Sequence, residues 1–130
     1  MLTLTIRTDK PESELGLYQD SKQLAYKTWS AHRQLAETIH HQLQTLLQNN
    51  KVELGNLTGL VIYQGPGSFT GLRIGTSVAN ALADSLKLPI IGANNANWQS
   101  HGIDQLVAGK NEYPVTPEYG GRAFTTKPVK

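Results

Sequence analysis

The residues best placed to do chemistry lie in Gly65-Pro66-Gly67-Ser68-Phe69-Thr70-Gly71-Leu72-Arg73-Ile74-Gly75. A glycine-rich turn that opens a helix presents free backbone N–H groups and the positive end of the helix dipole, which together favour an anion. Gly65, Gly67, Ser68, Thr70 and Gly71 therefore form a candidate anion-binding turn. Gly65 and Gly67 let the backbone reverse tightly, Pro66 fixes a dihedral between them, and the hydroxyl of Ser68 or Thr70 can cap the helix. Neither common nucleotide motif is complete. A P-loop needs Lys and Ser/Thr directly after its last glycine, where this chain has Leu72-Arg73. A dinucleotide fingerprint needs a third small residue where Thr70 stands and an acid at the end of the next strand, whereas Asp84 lies inside the helix.

Other reactive groups are sparse. There are no cysteines, which excludes disulfides and thiolate metal sites. His40 and His41 are adjacent and diverge by about 100° around a helix axis, while His32 is far up the same helix, so they read as a solvated face and no metal site is expected. A net charge of +2 is too mild to argue for nucleic-acid binding, and the lysines and arginines are scattered without an aromatic-basic patch. No run is long and apolar enough to span a membrane, and the N-terminal residues lack the basic-then-apolar order of a signal peptide. A cytoplasmic protein is the expectation.

The elements that must carry the turn follow from hydrophobic periodicity. Leu2, Leu4 and Ile6 alternate with Thr3, Thr5 and Arg7, the pattern of a half-buried strand. Leu15 to Tyr18 and Lys22 to Trp29 read as two more strands, joined by a tight turn at Asp20-Ser21 into an antiparallel meander. Ser30 is read as the N-cap of a helix over Ala31–Asn49, with Leu35, Ile39, Leu43, Leu46 and Leu47 on one face. The apolar run Leu57–Tyr63 feeds the glycine turn, helical periodicity runs on through Thr76–Leu86, and Pro89–Ala93 is a short buried strand with its proline where a missing N–H is tolerated. Asn94 to His101 opens a short helix. From Gly109 the composition shifts to a proline- and glycine-rich tail without apolar periodicity, expected to be extended and docked through Tyr113, Tyr119 or Phe124.

The helix after the turn carries a ridge of Gly71, Gly75, Ala79 and Ala83, one small residue every four, beside an apolar stripe of Leu72, Val78, Leu82 and Leu86. Such a ridge admits close backbone approach. Packing against the chain's own sheet and docking of a partner both remain open on this pattern alone.

Gly65 to Gly75, together with Pro89-Ile90-Ile91-Gly92-Ala93, resembles the signature of the bacterial tRNA threonylcarbamoyladenosine biosynthesis protein TsaB family, in the sugar kinase, Hsp70 and actin superfamily. The resemblance covers residues 1–108 and is strongest from Leu57 onward. It implies an α/β fold: a single N-terminal-type lobe of the actin-like, ribonuclease H-like class, with a mixed five-stranded sheet and helices over residues 1–108 and an extended tail over 109–130. The family's first strand normally ends in an Ile-Asp-Thr-Ser run, and in nucleotide-binding relatives that Asp sits near metal and phosphates; here the run is Ile6-Arg7-Thr8-Asp9, which argues against ATP hydrolysis. In the catalytic sister family, the transferase TsaD, two metal-binding histidines follow the strand; the corresponding positions here are Asn95 and Gln99, amides that are poor transition-metal ligands. His101 reads as a surface histidine. The family usually has two similar lobes around a cleft, and only the first is represented in residues 1–108, so this chain alone is not expected to be an enzyme.

The resemblance thus implies a non-catalytic accessory subunit, without a cofactor, that pairs with a TsaD-type threonylcarbamoyltransferase and through that complex with a TsaE-type ATPase. Self-association as a homodimer is the other assembly, tRNA contact is indirect, and no membrane is involved. Leu35, Ile39, Gly71, Leu72, Gly75 and Ala79 are the expected partner interface. The alternatives are a small ATP- or phosphate-binding protein using the Gly65–Gly71 turn, and an inactive degenerate form.

Overall fold

The structure is a computed structural model that describes residues 1–119; Phe124, which entered the reading of the tail, lies outside them. Five strands form one mixed sheet in the order β3-β2-β1-β4-β5. β1 (Leu2–Arg7), β2 (Glu12–Gln19) and β3 (Lys22–Ser30) make the antiparallel meander that their alternation predicts. β4 (Gly59–Tyr63) lies parallel to β1, and β5 (Ile90–Ala93) parallel to β4. Three α-helices are interleaved: α1 (Leu35–Asn49), α2 (Phe69–Leu86) and α3 (Trp98–Val107). This is the α/β architecture expected from the sequence.

Side chains alternate across a strand, so each strand feeds both sides of the sheet. Leu4, Ile6, Leu15, Leu17, Leu60 and Ile62 face α1 and α2, which cover them with Leu35, Ile39, Leu43, Ala79 and Ala83. Val61, Tyr63, Ile91 and Ala93 face the other way, against Trp98, Ile103 and Leu106 of α3. β4 is buried along its whole length, which is why it reads as a continuous apolar run and not as an alternating one.

The start of α1 differs from the sequence reading. Ser30 does not cap α1. It is still paired with Glu12 in the sheet, the Ala31 N–H donates to the Pro11 carbonyl at 3.0 Å, and a short 3-10 turn at His32–Gln34 precedes α1. The ladder's hydrogen bonds hold this stretch extended past the point where a serine could cap. α2 begins at Phe69, so Ser68, one of the two capping residues read from the sequence, occupies its N-cap position, but without making a side-chain capping bond.

Beyond α3 the chain returns along β5. The Ile90 N–H donates to Asn111 Oδ1 at 3.1 Å, the Gly92 N–H to Glu112 Oε1 at 2.9 Å, and the Glu112 N–H to the Ile90 carbonyl at 2.8 Å. Val115 is buried in the core under α2, where the Asn80 amide brackets its backbone, donating to the carbonyl at 2.8 Å and accepting from the N–H at 3.0 Å. Tyr113 is exposed, and Tyr119 rests on the exposed Phe69 ring at 4.5 Å between centroids. The main anchor of residues 111–119 is thus an aliphatic side chain and an amide bracket.

Candidate functional site

β1, β4 and β5 are parallel neighbours, so their C-terminal ends lie side by side, and in open α/β sheets that edge is where ligands are bound. Three connections meet there: Thr8-Asp9 after β1, Gln64–Ser68 after β4, and Asn94–Asn97 after β5. The glycine turn is locked into this edge from several sides. The Tyr63 hydroxyl donates to the Pro66 carbonyl at 3.2 Å, and the Ser68 N–H donates to the Asp9 carbonyl at 3.2 Å. The Glu118 N–H donates to the Gln64 carbonyl at 2.8 Å, and Gln64 Nε2 to the Thr116 carbonyl at 2.8 Å. Gly65 has φ +124°, a backbone state that L side chains rarely adopt, and the Glu118 carbonyl fills the space a side chain would need.

The small ridge of α2 is explained from within the chain. Side chains at Gly71 and Gly75 would collide with the carbonyl and hydroxyl of Thr8, and the Thr8 hydroxyl donates to the Gly71 carbonyl at 2.7 Å. Ala79 and Leu72 are fully buried, and Leu35 and Ile39 of α1 are buried in the same core as Ala79. These side chains, expected at a partner interface, are therefore spent on the chain's own packing. Gly71 and Gly75 are held against Thr8, and the outward surface of the two helices is made by their neighbours. Periodicity finds an apolar face; it does not say what covers it.

Electrostatics at the turn centre on Asp9. Its carboxylate lies against Gly67, is only 7% exposed, and is held by a fork from Arg7, Nε to Oδ1 at 2.7 Å and Nη2 to Oδ2 at 3.2 Å. The Arg7 guanidinium also stacks over the Tyr63 ring at 3.8 Å. Burial pulls the Arg7 pKa down, but the hydrogen bond and charge of Asp9 outweigh it and raise it above its ordinary value. Arg7 thus stays charged and satisfies the acid nearest the turn, leaving that acid poorly placed to take up a cation. Of the sequence-nominated turn residues, Gly65 and Gly67 are packed against Glu118 and Asp9, while Ser68, Thr70 and Gly71 line a groove together with Thr8, Lys10 and Arg33.

A family model for the tRNA N6-adenosine threonylcarbamoyltransferase TsaD matches residues 29–123. The chain belongs to this family. Within it the chain is TsaB-like: it is 30% identical over 119 residues to the tRNA threonylcarbamoyladenosine biosynthesis protein TsaB of Escherichia coli, covering 83% of this chain and 49% of that one. It is also 34% identical over 84 residues to the tRNA N6-adenosine threonylcarbamoyltransferase of Geotalea uraniireducens, covering 65% of this chain and 24% of that one. The fold is shared with YeaZ from Pseudomonas aeruginosa at a TM-score of 0.67 and 24% identity, over 72% of this chain and 44% of that structure. The chain spans about half, or less, of the length of the curated TsaB relatives it matches.

Within this TsaB-like lobe, Asn95 is exposed in the loop after β5, where its Oδ1 accepts from the Asn97 N–H at 2.9 Å, and Gln99 lies in the first turn of α3. His101 is exposed on α3. Among the described residues, no three His, Asp or Glu side chains come together as a metal site. Sequence reasoning missed Gln64, Asn80 and Glu118 as supports of the turn and its helix, because their partners lie far along the chain and no local spacing links them. It also passed over Ser13, although a serine in register with Leu15 and Leu17 on the covered face of β2 breaks an otherwise apolar pattern.

Proposed function

We propose that this TsaB-like chain is a non-catalytic subunit that docks a TsaD-type threonylcarbamoyltransferase and supports threonylcarbamoyladenosine modification of tRNA. A TsaE-type ATPase joins through that complex, and tRNA is met through the transferase. The observation that carries this reading is the surface between α1 and α2. A shallow groove of about 400 Å³ runs there between Ala36 and His40 on one helix and Arg73, Ile74, Ser77 and Val78 on the other. Ala36 and Ser77 are small and exposed, and Ile74 and Val78 are half-buried, so between the exposed His40 and Arg73 the groove offers close approach and apolar area to a partner helix.

The turn itself favours docking over nucleotide chemistry. Phosphates placed over Gly67 would meet the Asp9 carboxylate, and Asp9 is already matched by Arg7. One role of the glycine turn is positional: by pinning Gly71 and Gly75 onto Thr8, it fixes the angle at which α2 presents its outer surface.

The test is co-purification of the chain with the TsaD-type transferase of the same organism, followed by sizing. A stable complex is expected for the natural sequence. Ser77→Arg, at an exposed position, is expected to abolish the complex while the chain keeps its unfolding midpoint. A complex that survives Ser77→Arg unchanged would remove the groove from the interface, and absence of any complex between two folded proteins would overturn the docking reading itself.

A further inference from the structure

A second and larger groove, of about 610 Å³, lies between the N-terminus of α2 and the chain just before α1, lined by Thr8 and Lys10 on either side of Asp9 but not by Asp9 itself. We propose that this groove binds a small ligand through an oxyanion, a phosphate or carboxylate group carried on a compact, partly apolar body. The groove shares Thr70 and Ile74 with the docking groove between α1 and α2, but the ligand reading rests on its own observations.

α2 is 18 residues long and has no side-chain cap, and the N–H groups of Phe69, Thr70 and Gly71 have no acceptor among the described residues. A helix end left this way carries a partial positive charge and orphan donors. A helix terminus alone would not define a site. The independent observation is Ser13. Its side chain shares the face of β2 with Leu15 and Leu17, it lines the groove, and it is fully buried with an Oγ that has no hydrogen-bond partner. A buried hydroxyl without a partner is costly, so a ligand that supplies an acceptor would relieve it.

Charge and shape agree with this. The charged side chains lining the groove are Lys10 and Arg33, with no acid among the lining residues. Lys10 directs its ammonium to Glu14 at 2.8 Å, whereas Arg33 is exposed and has no ion pair among the described residues. Arg33 is thus the free guanidinium for a forked contact. Ser68 and Thr70 add hydroxyls at the helix end, while Leu35 and Ile74 make an apolar wall for the rest of the ligand.

The experiment is a titration of the full chain, followed by amide chemical shifts, with inorganic phosphate and separately with butyrate, each at constant ionic strength. Saturable shifts at Thr70 and Gly71 with one of them are expected, and which one tells a phosphate from a carboxylate ligand. Arg33→Gln is expected to weaken the binding about tenfold through loss of a charge-assisted bond. Ser13→Ala removes an unpartnered hydroxyl, so it is expected to fold at least as stably as the natural sequence while binding several-fold more weakly. Shifts that stay linear with both anions, or a saturable response left unchanged in both variants, would overturn the proposal.

Discussion

Replacing Arg7 with methionine keeps the aliphatic stem and its contact with Tyr63 but removes the charge that satisfies Asp9. The partner left behind is the decisive quantity. Asp9 is 7% exposed and Arg7 21% exposed, so the pair sits between two limits. Exposed pairs contribute ~0.2–1 kcal/mol, and breaking a fully buried pair costs ~3–5 kcal/mol. Two hydrogen bonds are lost, at 2.7 and 3.2 Å, and the carboxylate faces Gly67, with little solvent to replace the guanidinium. Arg7→Met is therefore expected to lower stability by about 2 kcal/mol, read as a shift of the urea midpoint at unchanged slope. Adding Asp9→Asn removes the stranded charge and is expected to return at least half of the loss, a coupling of about 1 kcal/mol or more in the double-mutant cycle. A coupling under ~0.5 kcal/mol would refute the reasoning, because the fork would then be no more than an exposed ion pair.

Three further outcomes follow from the same structure. Lys87 closes α2 at φ 58° in the left-handed region, and its ion pair with Asp84, at 4.0 Å between exposed groups, offers no compensation; Lys87→Gly is expected to raise stability by ~1 kcal/mol in thermal unfolding. Asn80→Ala strips both bonds from the buried Val115 backbone and is expected to cost about 2 kcal/mol, with faster proteolysis of residues 111–119 as the local signature. Burial pushes the Glu14 pKa up, but its bonds from Lys10 and Tyr26 and the nearby Arg7 charge win and hold it below the ordinary 4.5. A carboxylate with a depressed folded-state value stabilises above its unfolded pKa, and that contribution is lost as pH falls through the folded one. Glu14→Gln should therefore flatten the acid limb of the stability–pH curve below about pH 4.5 and leave the neutral-to-basic limb unchanged.

How much of this was legible beforehand depends on the range over which each signal acts. The strand pattern Leu2-Leu4-Ile6 and the run feeding the glycine turn are local, because a strand writes its two-faced or fully buried environment directly into its period. The turn was equally visible, since Gly65 and Gly67 stand between a strand and a helix. Boundaries set by distant partners were not. Ser30 looks like a cap because serine is a good one, yet the ladder with Glu12 and the Ala31–Pro11 bond hold that stretch in the sheet. The Val115 anchor depends on Asn80, which sits on an ordinary helical surface in the sequence and gains its role only when residues 111–119 fold back over it.

The α2 ridge shows why an interface cannot be read from small residues alone. Gly71, Gly75 and Ala79 allow close approach by any backbone, and in this fold the approaching one is the chain's own: the Thr8 carbonyl and hydroxyl fill the space over both glycines, and Ala79 closes onto the sheet. Under the docking proposed above, the ridge would act on partner binding at one remove, by setting where α2 lies. That separates two kinds of substitution. A bulky residue at Gly75 must displace Thr8 and with it the glycine turn, so Gly75→Leu would abolish docking only along with the fold. Ser77 is exposed on the same helix, so a charge there probes the proposed interface while the fold stays intact.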